Sequence, residues 1–163
     1  MTNMNKRKNG FTLIELLVVI TVLGVLSGVM LGLINIRGIR AKSRDSQRQT
    51  DLAKVQTALE LYFADYRIYP TSASWVLAKD IPSLVPNYIS VLPTDPSSFT
   101  GTNPCGTEFG YLYKTDATGS KYVLTAYMEV TTPDASHTCS ALSNCGGLGC
   151  SCGAPCYGIQ NPL

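Results

Sequence analysis

The chain has 163 residues, 45% of them hydrophobic, and a formal charge of +2. That length suits one small domain with a modest core, and 13 basic against 11 acidic side chains give no sign of a nucleic-acid binder. A single histidine, His137, in a polar loop leaves acid–base catalysis little to stand on, and neither a glycine-rich phosphate loop nor a serine elbow is present.

The first element is a basic head, Lys6-Arg7-Lys8-Asn9-Gly10, that runs directly into an apolar stretch, Phe11 to Ile34, whose only charge is Glu15. A helix over these residues, rising ~1.5 Å per residue, reaches across a ~30 Å hydrocarbon layer. A carboxylate inside such a helix costs roughly 2.5 to 3.5 kcal/mol on insertion scales and needs a cationic partner, which the stretch lacks. Cutting the chain between Gly10 and Phe11 supplies one, because the freed amine of Phe11 lies one helical turn from Glu15, in the same chain or in a neighbouring copy. Gly24, Gly28 and Gly32 recur every four residues, a spacing that lets membrane helices approach closely.

The run Lys8-Asn9-Gly10-Phe11-Thr12-Leu13-Ile14-Glu15-Leu16-Leu17-Val18-Val19-Ile20 resembles the class III leader and mature start of type IV pilins and type II secretion pseudopilins. The resemblance implies a leader, residues 1–10, removed by a prepilin peptidase after Gly10, N-methylation of Phe11, and a role for Glu15 in aligning with the amine of another subunit during assembly. Many members carry a proline where this chain has Gly32. An ordinary signal peptide is cut after its apolar region, not before it, and leaves Glu15 unexplained.

Past the membrane stretch, Arg37, Arg40, Lys42, Arg44 and Arg48 form a basic collar containing Asp45, read as meeting lipid head groups. Residues 35–69 are predicted to continue the helix, with Leu52, Val55, Leu59, Tyr62, Tyr66 and Tyr69 as one apolar face against a sheet and Pro70 as the stop. The Tyr69-Pro70-Thr71 end again resembles pseudopilins. Residues 70–108 carry six prolines, which predict a connecting loop with at most short helical turns, the best candidate being Ala73 to Lys79 around Trp75, a residue read as a core plug. Within 109–130, Phe109 to Lys114 and Lys121 to Val130 read as an antiparallel hairpin, with Leu124, Ala126 and Met128 toward the long helix.

Five of the six cysteines, Cys139, Cys145, Cys150, Cys152 and Cys156, fall in the tail, residues 131–163, and Cys105 precedes the hairpin. Their gaps lack the paired spacing of zinc sites, so disulfides in an oxidising exterior are the favoured reading. Fifteen pairings are open for six cysteines; one residue between Cys150 and Cys152 disfavours that bridge, and a bridge from Cys105 would enclose both strands. The glycine-rich tail shows no helix or strand pattern of its own. No cofactor or metal is expected.

The sequence therefore predicts an α+β fold: a long N-terminal helix, membrane-spanning over 11–34 and then amphipathic, packed on a small antiparallel β-sheet with a disulfide-rich C-terminal tail. The function expected is a structural, non-enzymatic subunit of a type IV pilus-like filament, held in the cytoplasmic membrane by a single pass with its head outside, then polymerised. The partners that the resemblance implies are the prepilin peptidase, other copies and minor pilins, an inner-membrane assembly platform and the lipid bilayer. A pseudopilin of a secretion or DNA-uptake machine is the alternative, and an anchored binding domain that never polymerises is the reading from another class.

Overall fold

A computed structural model describes residues 10–33, 36–97, 110–130, 134–149 and 155–162, without the side chains of 29–33, 82 and 146. Two compact units divide the chain, residues 1–36 and residues 37–163. In the first, helix α1 spans Leu13–Leu33. It is apolar on every side, as a helix does that is buried by something other than its own domain.

The second unit is the head. Helix α2, Ile36–Tyr66, buries a stripe of Ala41, Asp45, Arg48, Leu52, Val55 and Leu59, spaced three and four apart so that they share one face. Leu52, Val55 and Leu59 are fully enclosed, each contributing about 1.5–3 kcal/mol by leaving water. Helix α2 ends at Tyr66, earlier than the predicted stop at Pro70, because Arg67 adopts a left-handed φ of 59° after its N–H bonds the carbonyl of Phe63 at 2.8 Å. The reversal folds Tyr69 back over the helix end. Its ring stacks on Phe63 at 4.6 Å, its N–H bonds Gly119 O at 2.7 Å, and its hydroxyl donates to Glu60 at 3.0 Å. Tyr66, placed on the buried face by periodicity, is exposed.

Four antiparallel strands follow in the order β1-β2-β3-β4: Val76–Leu77, Leu112–Thr115, Tyr122–Tyr127 and Cys156–Gln160. The expected hairpin is β2 and β3, paired Leu112 with Thr125 through Thr115 with Tyr122. Its turn is held by Asp116, whose carboxylate accepts the N–H groups of Ser120 at 2.7 Å and Lys121 at 3.0 Å. Gly119 sits at φ +68° where a Cβ would lie 2.8 Å from the carbonyl oxygen of Tyr69, so the turn and the end of α2 fit together only around a glycine. The turn expected around Trp75 is instead strand β1 followed by two short 3-10 turns, Ala78–Asp80 and Pro82–Leu84. Pairing of Val76 with Tyr113 draws that segment into the sheet.

Both faces of the sheet are covered. Tyr122, Leu124 and Ala126 of β3 join the α2 stripe in the main core, while Val123 packs on a second cluster of Cys139, Leu142, Cys145, Leu148 and Cys156. The tail therefore does carry regular structure: β4 pairs with β3 from Val123 opposite Gln160 to Tyr127 opposite Cys156, and a four-residue helix α3 spans Cys145–Leu148. Gly158 hid that strand from its sequence. A Cβ there would meet Leu142 at 2.7 Å, so a residue that reads as a turn former is in fact the space into which the tail packs. Trp75 is half-buried rather than a core plug, leaning on this second cluster with the ammonium of Lys114 5.8 Å above its ring.

Candidate functional site

The chemistry of the first unit begins at Gly10 and Phe11, both exposed. Thr12 starts α1 as a capping residue: its hydroxyl accepts the N–H of Glu15 at 3.4 Å and its carbonyl accepts the N–H of Leu16 at 3.2 Å. Glu15 is thereby fixed in the first turn, where the positive end of the helix dipole favours a carboxylate. Thr21, the polar residue one turn further in than Val18, returns its hydroxyl to the Val18 carbonyl at 2.8 Å, which satisfies it inside the helix without water.

Around this, large apolar side chains stand open from Phe11, 82% exposed, to Leu26, 60% exposed. Gly24 and Gly28 lie one turn apart with nothing within 4 Å of where a Cβ would be, so a flat strip of backbone is available to another helix. The surroundings of Gly32 lie outside the described residues. Among the described residues no helix is long and apolar enough to cross a membrane. Side chains of α1 are described from Leu13 to Gly28, about 24 Å at ~1.5 Å per residue, and the remainder of the apolar run to Ile34 lies beyond them.

In the head, the strongest polar feature was missed by the sequence reading. Arg48, 1% exposed, donates through Nε and Nη2 to Asp95 at 2.8 and 2.9 Å, and through Nη1 to Asp45 at 2.7 Å and Glu129 at 2.9 Å. Arg44 makes a two-pronged contact with Glu129, and Asp45 also accepts the backbone N–H groups of Glu129 and Val130 at 2.9 Å each. This narrows the basic collar: Arg44 and Arg48 tie α2 to the loops at Asp95 and Glu129, which leaves Arg37, Arg40 and Lys42 as its exposed, unpaired members among the described residues. Extending the apolar stripe backward from Leu52 by four and seven residues lands on Arg48 and Asp45, the one sequence signal for the network. Burial pushes the Asp95 carboxyl up, but the bonds from Arg48 and Ser97 outweigh it and hold the group below its ordinary value. Arg44 and Arg48 hold Glu129 low as well.

Tyrosine hydroxyls provide a second set of ties, Tyr111 to Asp51 at 3.0 Å and Tyr122 to Glu60 at 2.9 Å. Desolvation and the adjacent carboxylates push both phenols upward. His137 rests against Tyr157 at 5.2 Å and bonds Asp134 at 2.8 Å. Bonds from Ser136 and His137 keep the Asp134 carboxyl at about 2.

A disulfide joins Cys139 to Cys156, with Cα atoms 5.7 Å apart, and Cys145 is disulfide-bonded too. The observed bridge ties the strand β4 to the tail segment before α3. Cys105, Cys150 and Cys152 lie outside the described residues. Among the described residues no group of histidine, cysteine and acidic side chains is arranged to hold a metal ion.

The first unit presents exposed apolar side chains from Phe11 to Leu26 with one acid in the first turn of its helix, and the second is an α+β head. The profile described as the prokaryotic N-terminal methylation motif matches residues 5–31. The type II secretion system core protein G of Escherichia coli (strain K12) is 34% identical over 99 residues, 55% of this chain and 67% of that protein. Its counterpart in Klebsiella pneumoniae is 35% identical over 100 residues, 56% of this chain and 70% of that protein. The type IV major pilin protein PilA of Myxococcus xanthus (strain DK1622) is 33% identical over 70 residues, 43% of this chain and 31% of that protein. No solved structure gives a significant match. The chain belongs to the type IV pilin and type II secretion pseudopilin family, and is a structural subunit of the prepilin type. That family is membrane-anchored before it forms filaments.

Proposed function

We propose that this chain is inserted in the cytoplasmic membrane through residues 11–34, cut between Gly10 and Phe11 by a prepilin peptidase, N-methylated on Phe11, and polymerised through α1 into a short filament of the type II secretion kind. The observation that carries this reading is the open apolar surface of α1 from Phe11 to Leu26 with Glu15 alone among it. Exposed to water, such a surface is unstable. In lipid, Glu15 costs roughly 2.5 to 3.5 kcal/mol. Packed with other copies, the apolar surface is covered and Glu15 meets the amine of a neighbour's Phe11, so the assembled state relieves both costs. Gly24, Gly28 and Gly32 are the close-approach positions, and minor pilins and an inner-membrane platform are the partners such assembly requires. Disulfides among Cys105, Cys139, Cys145, Cys150, Cys152 and Cys156 brace the exposed head. A type IV pilus is the second reading, favoured by the pilin relative.

Mass spectrometry of the mature protein checks the first step, which predicts a methylated Phe11 as the amino terminus; a chain still beginning at Met1 refutes it. The variant Glu15→Ala is expected to insert and be cut normally while its recovery in sheared filaments collapses. Wild-type recovery of that variant overturns the role of Glu15. Loss of exoprotein release on deleting the gene supports the secretion filament, whereas loss of surface fibres with secretion intact supports the pilus.

A further inference from the structure

The two ends of α2 carry unlike, unanswered chemistry. At its start, Arg37, Arg40 and Lys42 are exposed, and none of their side chains has an ion-pair or hydrogen-bond partner among the described residues. Arg44 and Arg48, four to eight residues on, are already consumed by Glu129, Asp45 and Asp95. At the other end, Tyr62 stacks on Tyr66 at 4.5 Å and meets Tyr88 edge-on at 5.4 Å, and Tyr88 donates its hydroxyl to exposed Asp65 at 2.8 Å. Beside them lies a cavity of about 360 Å³ walled by Tyr62, Tyr113 and Asp80 with the small polar residues Thr71, Ser72 and Ser83. Asp80 supplies its only charged wall, and its carboxylate is unpaired among the described residues. The adjacent Lys79 lines a different cavity, next to Asp95.

An aromatic face beside a carboxylate, walled by hydroxyls, is a site for a guanidinium, which stacks on the ring and pairs with the acid together. We propose that this cavity receives Arg37 or Arg40 from a second copy of the chain, an inference that rests on the polymerising reading above. The contact cannot form within one copy: Arg40 and Asp65 stand at opposite ends of a continuous helix, about 37 Å apart at ~1.5 Å per residue. A two-fold pair could join the same patches only with its α2 helices antiparallel, which chains inserted in one orientation through residues 11–34 cannot adopt; the contact is therefore head-to-tail, and repeating it generates an open line of subunits rather than a closed dimer. Two heads so joined are displaced by roughly the length of α2. The apolar α1 contacts then supply the bulk of the association, and this pairing sets which neighbour each head touches.

The test uses full-length chains assembled in cells. A carbodiimide joins an amine to a carboxylate only at contact distance, so the amine provided by Arg40→Lys, with native Lys42, is expected to yield peptides cross-linked to Asp80 or Asp65 in the sheared filament fraction. Residues 40 and 42 lie roughly 30–37 Å along α2 from Tyr62, which lines the cavity with Asp80, and from Asp65, far beyond contact distance, so such products are intermolecular. Reversing both charges, Arg37→Glu with Arg40→Glu, is expected to cut filament yield about tenfold, and adding Asp80→Arg to restore it to within about threefold of wild type, since coupling between paired charges shows as non-additivity. Filaments that form with no such cross-link overturn the contact while leaving polymerisation standing. A double reversal that impairs insertion or leader cutting and is not rescued by Asp80→Arg overturns it in favour of anionic lipid head groups as the partner of the basic end. A wild-type chain that never leaves the membrane overturns the polymerising reading itself, and this contact with it.

Discussion

Replacing Arg48 with methionine keeps a long side chain in the stripe of α2 but removes the cation from three carboxylates at once. Asp45 retains the N–H groups of Glu129 and Val130, and Glu129 retains Arg44. Asp95 is the residue that suffers, since it keeps only Ser97 after losing both bonds from a guanidinium that is itself 1% exposed. Breaking a buried pair by removing one partner costs about 3–5 kcal/mol. A head of this size loses roughly 3–6 °C of melting temperature per kcal/mol, so Arg48→Met is expected to lower Tm by roughly 9–30 °C. The assay is thermal unfolding of the mature chain in detergent, followed by near-UV circular dichroism, whose tyrosine signal comes from the head. The acid limb gives an independent readout. Asp95 and Glu129 have folded values below their unfolded ones, so their stabilisation is present above about pH 4 and is lost as pH falls through the folded values. With Arg48 gone that slope is expected to flatten. A Tm drop under about 3 °C at pH 7 with an unchanged acid limb would refute the claim that this network holds α2 to the head.

Three further outcomes follow from the same geometry. Tyr69, Tyr88, Tyr111, Tyr113 and Tyr122 all have phenols raised above the ordinary 10.0; a raised folded value contributes stability that is complete below pH 10 and lost above it, so the head is expected to unfold cooperatively in alkali, with phenolate absorbance rising in step with loss of structure rather than before it. Replacing Cys139 and Cys156 together by serine opens a loop with a sequence separation of 17 and is expected to cost about 3 kcal/mol in the chain-entropy treatment, read by denaturant midpoint and by faster hydrogen exchange at Tyr157 and Ile159 than at Tyr113. Gly119→Ala forces a Cβ onto the Tyr69 carbonyl at a left-handed φ and is expected to destabilise by about 1–3 kcal/mol, whereas Gly147→Ala, which meets open space, leaves the midpoint within about 0.5 kcal/mol.

What the sequence determined by itself is whatever depends on neighbours along the chain. The order Gly10, Phe11, Glu15 and an unbroken apolar run sets the chemistry of α1, because capping, helix length and the cost of a buried carboxylate are local or depend on the surrounding medium. The stripe Leu52, Val55 and Leu59 and the hairpin around Asp116 were legible for the same reason, since their periods and turn chemistry are short-range. Tertiary structure decided the rest. Arg48 counts as a surface charge until Asp95, 47 residues away, and Glu129 are brought to it. Tyr69 leaves the helix because Gly119 and Glu60 offer its N–H and hydroxyl partners off the helix axis. Strand β4 exists because β3 presents an unpaired edge and Gly158 leaves room for Leu142. Each of these is a contact between distant segments, whose energy appears only once the chain has closed the loops between them.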